Sequence, residues 1–281
     1  MKPLLEVLQS SAEWLRGRGT ESPRLNAEHL LAQVLGKRRL DLYLEFDRPL
    51  GEAELTPLRD LLRRRATGEP LQHLLGTAEF CGRTFACDPR ALIPRPETEE
   101  LVERVSARLT GGGLAGPLVD VGTGSGVIAL SLALLFPDIE VIGVDLSAEA
   151  LVLAGENAAR HSLAGRVGFV QSDLLEAVPG PFGAVIANLP YIAASDIAGL
   201  SPEVRRDPRL ALDGGADGLT VIGHLIPQAG VKLASGGLLA LEIGDGQGEA
   251  LKGLLGGDSW RNVEVQRDLQ GRERFVFATH G

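Results

Sequence analysis

Residues 185–191 read Val-Ile-Ala-Asn-Leu-Pro-Tyr. An apolar run stops at Asn188, Leu189, Pro190 and Tyr191, and these four residues offer what an amino group needs before its nitrogen can react. The Asn188 side-chain oxygen can accept one N–H. The Leu189 carbonyl can accept the other, because the following proline biases Leu189 toward an extended conformation. Tyr191 supplies a flat ring able to cover a planar group. The same tetrapeptide also suits an ordinary turn after a buried strand, so its meaning depends on what accompanies it.

About sixty residues upstream stands Val119-Asp120-Val121-Gly122-Thr123-Gly124-Ser125-Gly126. Glycines in such a loop let backbone approach a ligand closely, and the helix N-terminus that follows attracts negative charge. The spacing is G-x-G-x-G rather than the G-x-G-x-x-G of dinucleotide sites, with Val127 where the last glycine would fall. Asp145 follows about twenty residues later, where a carboxylate can accept hydrogen bonds from both hydroxyls of a ribose. A helix N-cap is the alternative, although Ser147 can fill that role. Asp173 and Leu174 follow the next apolar segment; a carboxylate or backbone group there can meet an adenine amino group, or cap a helix. Asp120, the glycine loop, Asp145, Asp173 and Asn188 fall at successive strand ends. Open α/β sheets bind ligands at the carboxyl ends of strands, so all of these groups are expected to line one crevice.

Those strands and helices are legible in the pattern. Residues 1–72 read as a helical domain, with helices over Leu4–Leu15, Asn26–Leu35 (Asn26 as N-cap, Gly36 as stop) and Leu55–Ala66, and a short segment over Leu40–Phe46. Residues 73–96 read as a hairpin and linker, with Gly82 at the turn and three prolines between Asp88 and Pro96. Residues 97–281 begin with a helix over Glu97–Leu109, then a flexible loop at Gly111, Gly112, Gly113, Gly116 and Pro117. From Leu118 strands and helices alternate, which implies a mainly parallel sheet with helices on both faces. The tail, Val263–Asp268 and Arg274–Thr279, suggests a closing hairpin.

Composition narrows the field. The 281 residues are 44% apolar and 23% charged, an ordinary globular profile. No apolar run approaches the length of a membrane helix, and Glu6, Gln9, Ser10, Ser11 and Glu13 interrupt the first helix in a way no signal peptide would. A cytoplasmic protein without membrane attachment is the expectation. Cys81 and Cys87 are too few for a disulfide scaffold or zinc site, and the five histidines show no metal spacing, so no metal is expected and the histidines read as structural or exposed. Residues 1–90 carry 14 Lys+Arg against 13 Asp+Glu; residues 91–281 carry 14 against 24. An acidic main body argues against direct nucleic-acid binding, which draws on clustered Lys and Arg.

The order of these features resembles the class I S-adenosylmethionine-dependent methyltransferases, whose acceptor-binding tetrapeptide ends the fourth strand. Gly68-Glu69-Pro70-Leu71-Gln72, Glu79-Phe80 and Leu92-Ile93-Pro94-Arg95-Pro96-Glu97-Thr98-Glu99 sharpen that likeness. With Asp213-Gly214-Gly215-Ala216-Asp217-Gly218-Leu219 and Gly236-Gly237-Leu238-Leu239-Ala240-Leu241-Glu242, the chain resembles the HemK/PrmC family over nearly its whole length. The resemblance implies a Rossmann-like, mainly parallel seven-stranded sheet behind a small helical N-terminal domain. It implies S-adenosylmethionine as cofactor, S-adenosylhomocysteine as product, and a peptide chain release factor as partner. The reaction would be methylation of the glutamine side-chain nitrogen in that partner's Gly-Gly-Gln motif, modulating translation termination. Gly122, Thr123, Gly124, Ser125, Gly126, Asp145, Asp173 and Leu174 would bind the cofactor; Asn188, Leu189, Pro190 and Tyr191 would hold the acceptor. The family usually has Asn-Pro-Pro-Tyr; Leu189 keeps the backbone carbonyl but loses the fixed φ of proline. Arg95, Thr98, Glu99 and Glu242 have either a structural role or a place near the cofactor. The alternative is an adenine-N6 methyltransferase on DNA or RNA, which uses the same tetrapeptide logic on a flipped base. A non-catalytic cofactor-binding protein and a nicotinamide oxidoreductase fit less well.

Overall fold

The computed structural model describes residues 1–110 and 116–281. The loop expected at Gly111, Gly112 and Gly113 lies outside the described residues; Gly116 and Pro117 lead directly into a strand. The chain forms two compact units, one of Met1–Thr77 with Ser201–Arg206, the other of Ala78–Leu200 with Asp207–Gly281.

The first unit holds two short paired strands, β1 (Lys2–Pro3) and β2 (Pro49–Leu50), and four helices, α1 (Leu4–Arg16), α2 (Pro23–Leu35), α3 (Glu52–Ala66) and α4 (Leu71–Leu75). A 3₁₀ turn, Arg39–Leu44, stands where a short segment was expected. Leu4, Val7, Leu8, Ala12 and Leu15 recur on one face of α1 and bury against Leu30 and Leu31 of α2 and Leu58 and Leu62 of α3. Asn26 is not the N-cap of α2. The helix starts at Pro23, whose fixed φ suits a first turn, so Asn26 lies one turn inside. Its amide still serves the backbone, donating to the carbonyls of Glu21 and Ser22. Gly36 does close the helix in the left-handed region, at φ 61°. Helix α3 begins three residues before Leu55, because Glu54 reaches back to accept from the Gly51 N–H.

The second unit opens with the hairpin β3 (Thr77–Phe80) and β4 (Arg83–Ala86), an irregular stretch to Arg95, and α5 (Pro96–Thr110). There follow β5 (Leu118–Val121), α6 (Val127–Leu135), β6 (Val141–Asp145), α7 (Ala148–Arg160), β7 (Val167–Gln171), β8 (Phe182–Asn188), α8 (Thr220–Lys232), β9 (Leu233–Glu242), α9 (Gly248–Leu254), β10 (Trp260–Arg267) and β11 (Glu273–His280). Seven of these strands form one sheet in the order β10-β11-β9-β8-β5-β6-β7. Four of its pairings are parallel; β9 with β11 is antiparallel, and β10 with β11 forms the closing antiparallel hairpin. The second unit is thus a mainly parallel seven-stranded sheet with a core on each face, as the alternation implies.

Strand β8 shows why it sits at the centre. Val185 and Ala187 belong to the core on one face, with Ile222, Leu225 and Ile226 of α8, and Phe182 joins them across an irregularity in the strand's register. Ala184 and Ile186 belong to the core on the other, with Leu101 and Val105 of α5 and Leu130 of α6. Alternate residues face opposite sides, so a strand buried on both faces must be apolar throughout. Each fully buried side chain the size of Phe182 stabilises the fold by about 1.5–3 kcal/mol. After β7 the chain returns to the far side of β5 to form β8, so the crevice at the carboxyl ends of β5 and β8 is the topological switch point. Helix α9 was not anticipated; it is short, and glycines flank it. Among the described residues, no helix is long and apolar enough to cross a membrane.

Candidate active site

The glycine loop turns from β5 into α6 with Gly122 at φ 71° and Gly126 at φ 82°, both in the left-handed region. A Cβ on Gly122 would stand 2.9 Å from Leu189 Cδ2, so glycine here makes room for the side chain that replaces the usual proline. The backbone N–H groups of Gly122 and Thr123 both donate to the Val144 carbonyl at 2.9 Å. Asp120 accepts from the Thr123 hydroxyl at 2.6 Å and from the Ala129 N–H at 3.1 Å, through one oxygen.

Asp120 therefore corrects an expectation. It is 1% exposed, and it braces the loop from beneath instead of lining the crevice. Its position on β5, before the turn begins, points its side chain into the sheet-helix interface. Burial pushes its carboxyl up to about 7, against the two hydrogen bonds it accepts. Asp145, at the end of β6, accepts from Gly124 N–H at 2.8 Å and from Ser147 N–H at 2.9 Å, one on each oxygen. Burial raises its carboxyl too, outweighing those backbone donors. The N-cap of α7 is Ser147, whose hydroxyl accepts from Ala150 N–H. Past β7, the Ser172 hydroxyl accepts from Ala177 N–H and so holds the turn that carries Asp173 and Leu174.

Asn188 ends β8. Its Nδ2 donates to Thr98 Oγ1 at 3.0 Å, and the Thr98 hydroxyl donates to Glu242 Oε2 at 2.7 Å. Glu242 ends β9, in register with Asn188 across the parallel pair. Burial pushes its carboxyl up to about 7, opposed by the Thr98 hydroxyl and the Arg274 guanidinium. The Tyr191 hydroxyl lies 3.5 Å from Glu242 Oε1 and 3.5 Å from Arg274 Nη1, and burial pushes it up to about 12. The tetrapeptide is clamped from outside. Gln247 donates to the Tyr191 carbonyl, Ile192 donates to Leu212, and Gly214 donates back to Ile192. The Pro-rich stretch is pinned by buried Asp207, which accepts from Ile93 N–H at 3.2 Å and pairs with Arg95 at 2.5 Å.

These groups surround a cavity of about 360 Å³, within the range of roughly 300–1,000 Å³ typical of small-molecule sites. Gly122, Thr123, Gly124, Ser125, Asp145, Asp173, Leu174, Asn188, Leu189 and Pro190 line it. Gly126 and Tyr191 stand behind the wall: Gly126 packs under Ala154, and the Tyr191 ring turns toward Glu242 and Arg274. Arg95 and Thr98 line the cavity, as does exposed His224.

A match to the PrmC N-terminal domain covers residues 6–76, and one to the methyltransferase small domain covers residues 97–200. A release factor glutamine methyltransferase of Geobacter sulfurreducens is 40% identical, over 98% of this chain and 97% of that one. One from Deinococcus radiodurans is 42% identical, over 98% of each. The chain belongs to the release factor glutamine methyltransferase family. Among solved structures, the hMettl16 catalytic domain is similar in fold, with a TM-score of 0.58 at 17% identity, covering 79% of this chain and 82% of that one. A T. thermophilus 16S rRNA methyltransferase, solved with AdoMet and guanosine, gives a TM-score of 0.53 at 20% identity, covering 73% and 50%.

Sequence reasoning did not single out Asn157 of α7. It is fully buried, accepts from Ala86 N–H at 2.6 Å, and donates to the carbonyls of Ala86 and Ser125 at 3.1 and 2.9 Å. It thus ties the hairpin to the glycine loop of this family member. Its only trace in the sequence is a polar residue at an otherwise buried helical position. Asn157→Ala would strand buried backbone groups and is expected to destabilise by about 3 kcal/mol, lowering the thermal midpoint by about 6–12 °C. A scanning calorimetry shift of less than about 2 °C would contradict this role.

The two carboxyls held near 7 give a pH dependence. Asp120 and Glu242 bind a proton more tightly when folded than when unfolded. Their contribution to stability is complete below the ordinary carboxyl range of about 4 and is lost as pH rises through about 7. Stability from these groups should therefore increase between about pH 8 and about pH 5.5. Denaturant titrations should show a smaller increase for Glu242→Gln than for the parent chain; equal increases would refute the assignment.

Proposed function

We propose that this protein transfers a methyl group from S-adenosylmethionine to the side-chain amide nitrogen (N5) of the glutamine in the Gly-Gly-Gln motif of class I peptide chain release factors. The observation that carries this reading is the placement of Asn188 and Leu189 on the wall of the cavity that the glycine loop and Asp145 also line. The cavity's residues suit the cofactor. The backbone of Gly122–Ser125 lines the cavity, and Asp145 is a half-buried carboxylate to which ribose hydroxyls would bring compensating hydrogen bonds. Asp173 and Leu174 stand beyond, where an adenine amino group would fall. When bound, S-adenosylmethionine supplies an electrophilic methyl group on a cationic sulfur.

The chain's own residues do the positioning. An amide nitrogen is a poor nucleophile, since its lone pair is delocalised into the carbonyl. The Asn188 oxygen and the Leu189 carbonyl accept its two N–H bonds and fix the direction of that lone pair. Orientation of this kind can supply roughly 7–11 kcal/mol of barrier reduction in favourable cases. Apolar Leu189, Pro190, Leu92 and Val121 keep water from the reacting atoms. No strong base is required, because methylation leaves the nitrogen cationic and acidic, and it releases one N–H proton to solvent water as the neutral methylated amide forms. The protein would meet its substrate in the cytoplasm, where translation terminates.

Labelled S-adenosylmethionine and a purified bacterial release factor test the proposal, with a Gln-to-Ala change in the Gly-Gly-Gln motif as control. Label on the parent factor and none on the control is the expected result. Label on neither, with cofactor bound, would sink it and favour an exocyclic amine of a nucleic acid.

A further inference from the structure

We propose that Thr98 and Glu242 are positioning residues for this reaction: the Thr98 hydroxyl, oriented by Glu242, locks the Asn188 amide with its oxygen turned toward the substrate nitrogen. The inference rests on Asn188 being the acceptor of the substrate amide.

The argument is one of proton counting. An amide can sit in two orientations related by a half-turn, with nitrogen and oxygen exchanged and nearly the same shape. Only one presents an acceptor to the substrate. Thr98 has a single hydroxyl proton, and it is given to Glu242 Oε2 at 2.7 Å. Glu242 accepts that proton on Oε2, and Thr98 has no second proton to give. The lone pairs of Thr98 Oγ1 are then what faces Asn188, 3.0 Å away. Nitrogen in that place donates a hydrogen bond. Oxygen in that place would meet lone pairs and leave a buried hydroxyl oxygen unsatisfied.

Three elements converge to build this relay. Thr98 comes from the first turn of α5, Asn188 from the end of β8 and Glu242 from the end of β9. Thr98 and Glu242 are 3% and 1% exposed. A carboxylate so deeply buried is expensive to keep, and an apolar residue would serve the core at least as well. Glu242 is the last residue of a strand whose preceding residues, Leu239, Ala240 and Leu241, are all apolar core. Its other oxygen faces the Tyr191 hydroxyl, which in turn faces Arg274, so the carboxylate is held from both sides.

Thr98→Val keeps the shape and removes the hydroxyl. It is expected to lower kcat for release factor methylation by about 10–100-fold, while the Kd for S-adenosylmethionine changes by less than about twofold. Thr98→Ser, which restores the hydroxyl, is expected to recover kcat to within about threefold of the parent. A purely structural role would not respond in this pattern. A second readout needs no turnover. The Asn188 side-chain amide protons, identified by their loss in Asn188→Ala, should exchange with solvent at least about tenfold faster in Thr98→Val. Thr98→Ala is read in the same way should the valine variant not fold. Retention of more than half the parent kcat in Thr98→Val, or unchanged amide exchange, overturns the inference. If the parent enzyme labels no release factor, the functional reading fails separately, and amide exchange alone decides whether Thr98 holds Asn188.

Discussion

Asn188→Ala is expected to reduce methyl transfer to the release factor by at least about 100-fold, with the affinity for S-adenosylmethionine nearly unchanged. The split follows from where the side chain sits. Asn188 lines the cavity, and its side-chain hydrogen bond runs to Thr98 rather than to the glycine loop or Asp145. Alanine removes the acceptor for one substrate N–H while the Leu189 carbonyl remains. The glutamine could still enter, but its nitrogen would no longer be aimed. Single-turnover labelling beside calorimetric titration of the cofactor separates the two quantities. Transfer within about tenfold of the parent enzyme would show that the acceptor is held elsewhere.

Asp145→Ala should act at the opposite end. The carboxylate accepts from Gly124 N–H on one oxygen and from Ser147 N–H on the other, so it fixes the loop as well as facing the cavity. Removing it frees the middle of the loop and takes away the acceptor proposed for the ribose. Hydrogen bonds to a charged group contribute about 1.5–3 kcal/mol each, and losing two predicts a Kd for S-adenosylmethionine raised by roughly 100-fold or more. Isothermal titration measures it directly. A change of threefold or less would mean that the ribose is bound by another group and that Asp145 serves the loop alone.

The strands and their order of function were legible because each depends on residues close in the chain. The sheet's strands begin at Leu118, where the pattern placed the start of the alternation, and the G-x-G-x-G turn, Asp145 and Asn188 all came to the carboxyl edge of the sheet. Helix starts were less legible. Pro23 and Glu54 moved the starts of α2 and α3 by about one turn, since a capping interaction can extend a helix beyond its apolar face. Asp120 shows a different limit. Its place beside the loop suggested a ligand, but Asp120 still belongs to β5, with one residue between it and the turn, and its side chain is directed inward, to Thr123 and Ala129.

What the sequence determined by itself was the parallel sheet, the residue types at its edge, and a resemblance strong enough to indicate the chemistry. Periodicity and turn chemistry are local, and a strand of alternating core residues specifies its own two faces. What only the tertiary structure decided was which polar groups meet. Thr98 lies 90 positions before Asn188 and 144 before Glu242, Asn157 lies 71 after Ala86, and Asp207 lies 112 after Arg95. No spacing rule connects them, because their contact depends on strand order and on helix packing across the sheet. The amide of Asn188 was readable from its residue type; the hydroxyl and carboxylate aligned behind it were brought there by the fold.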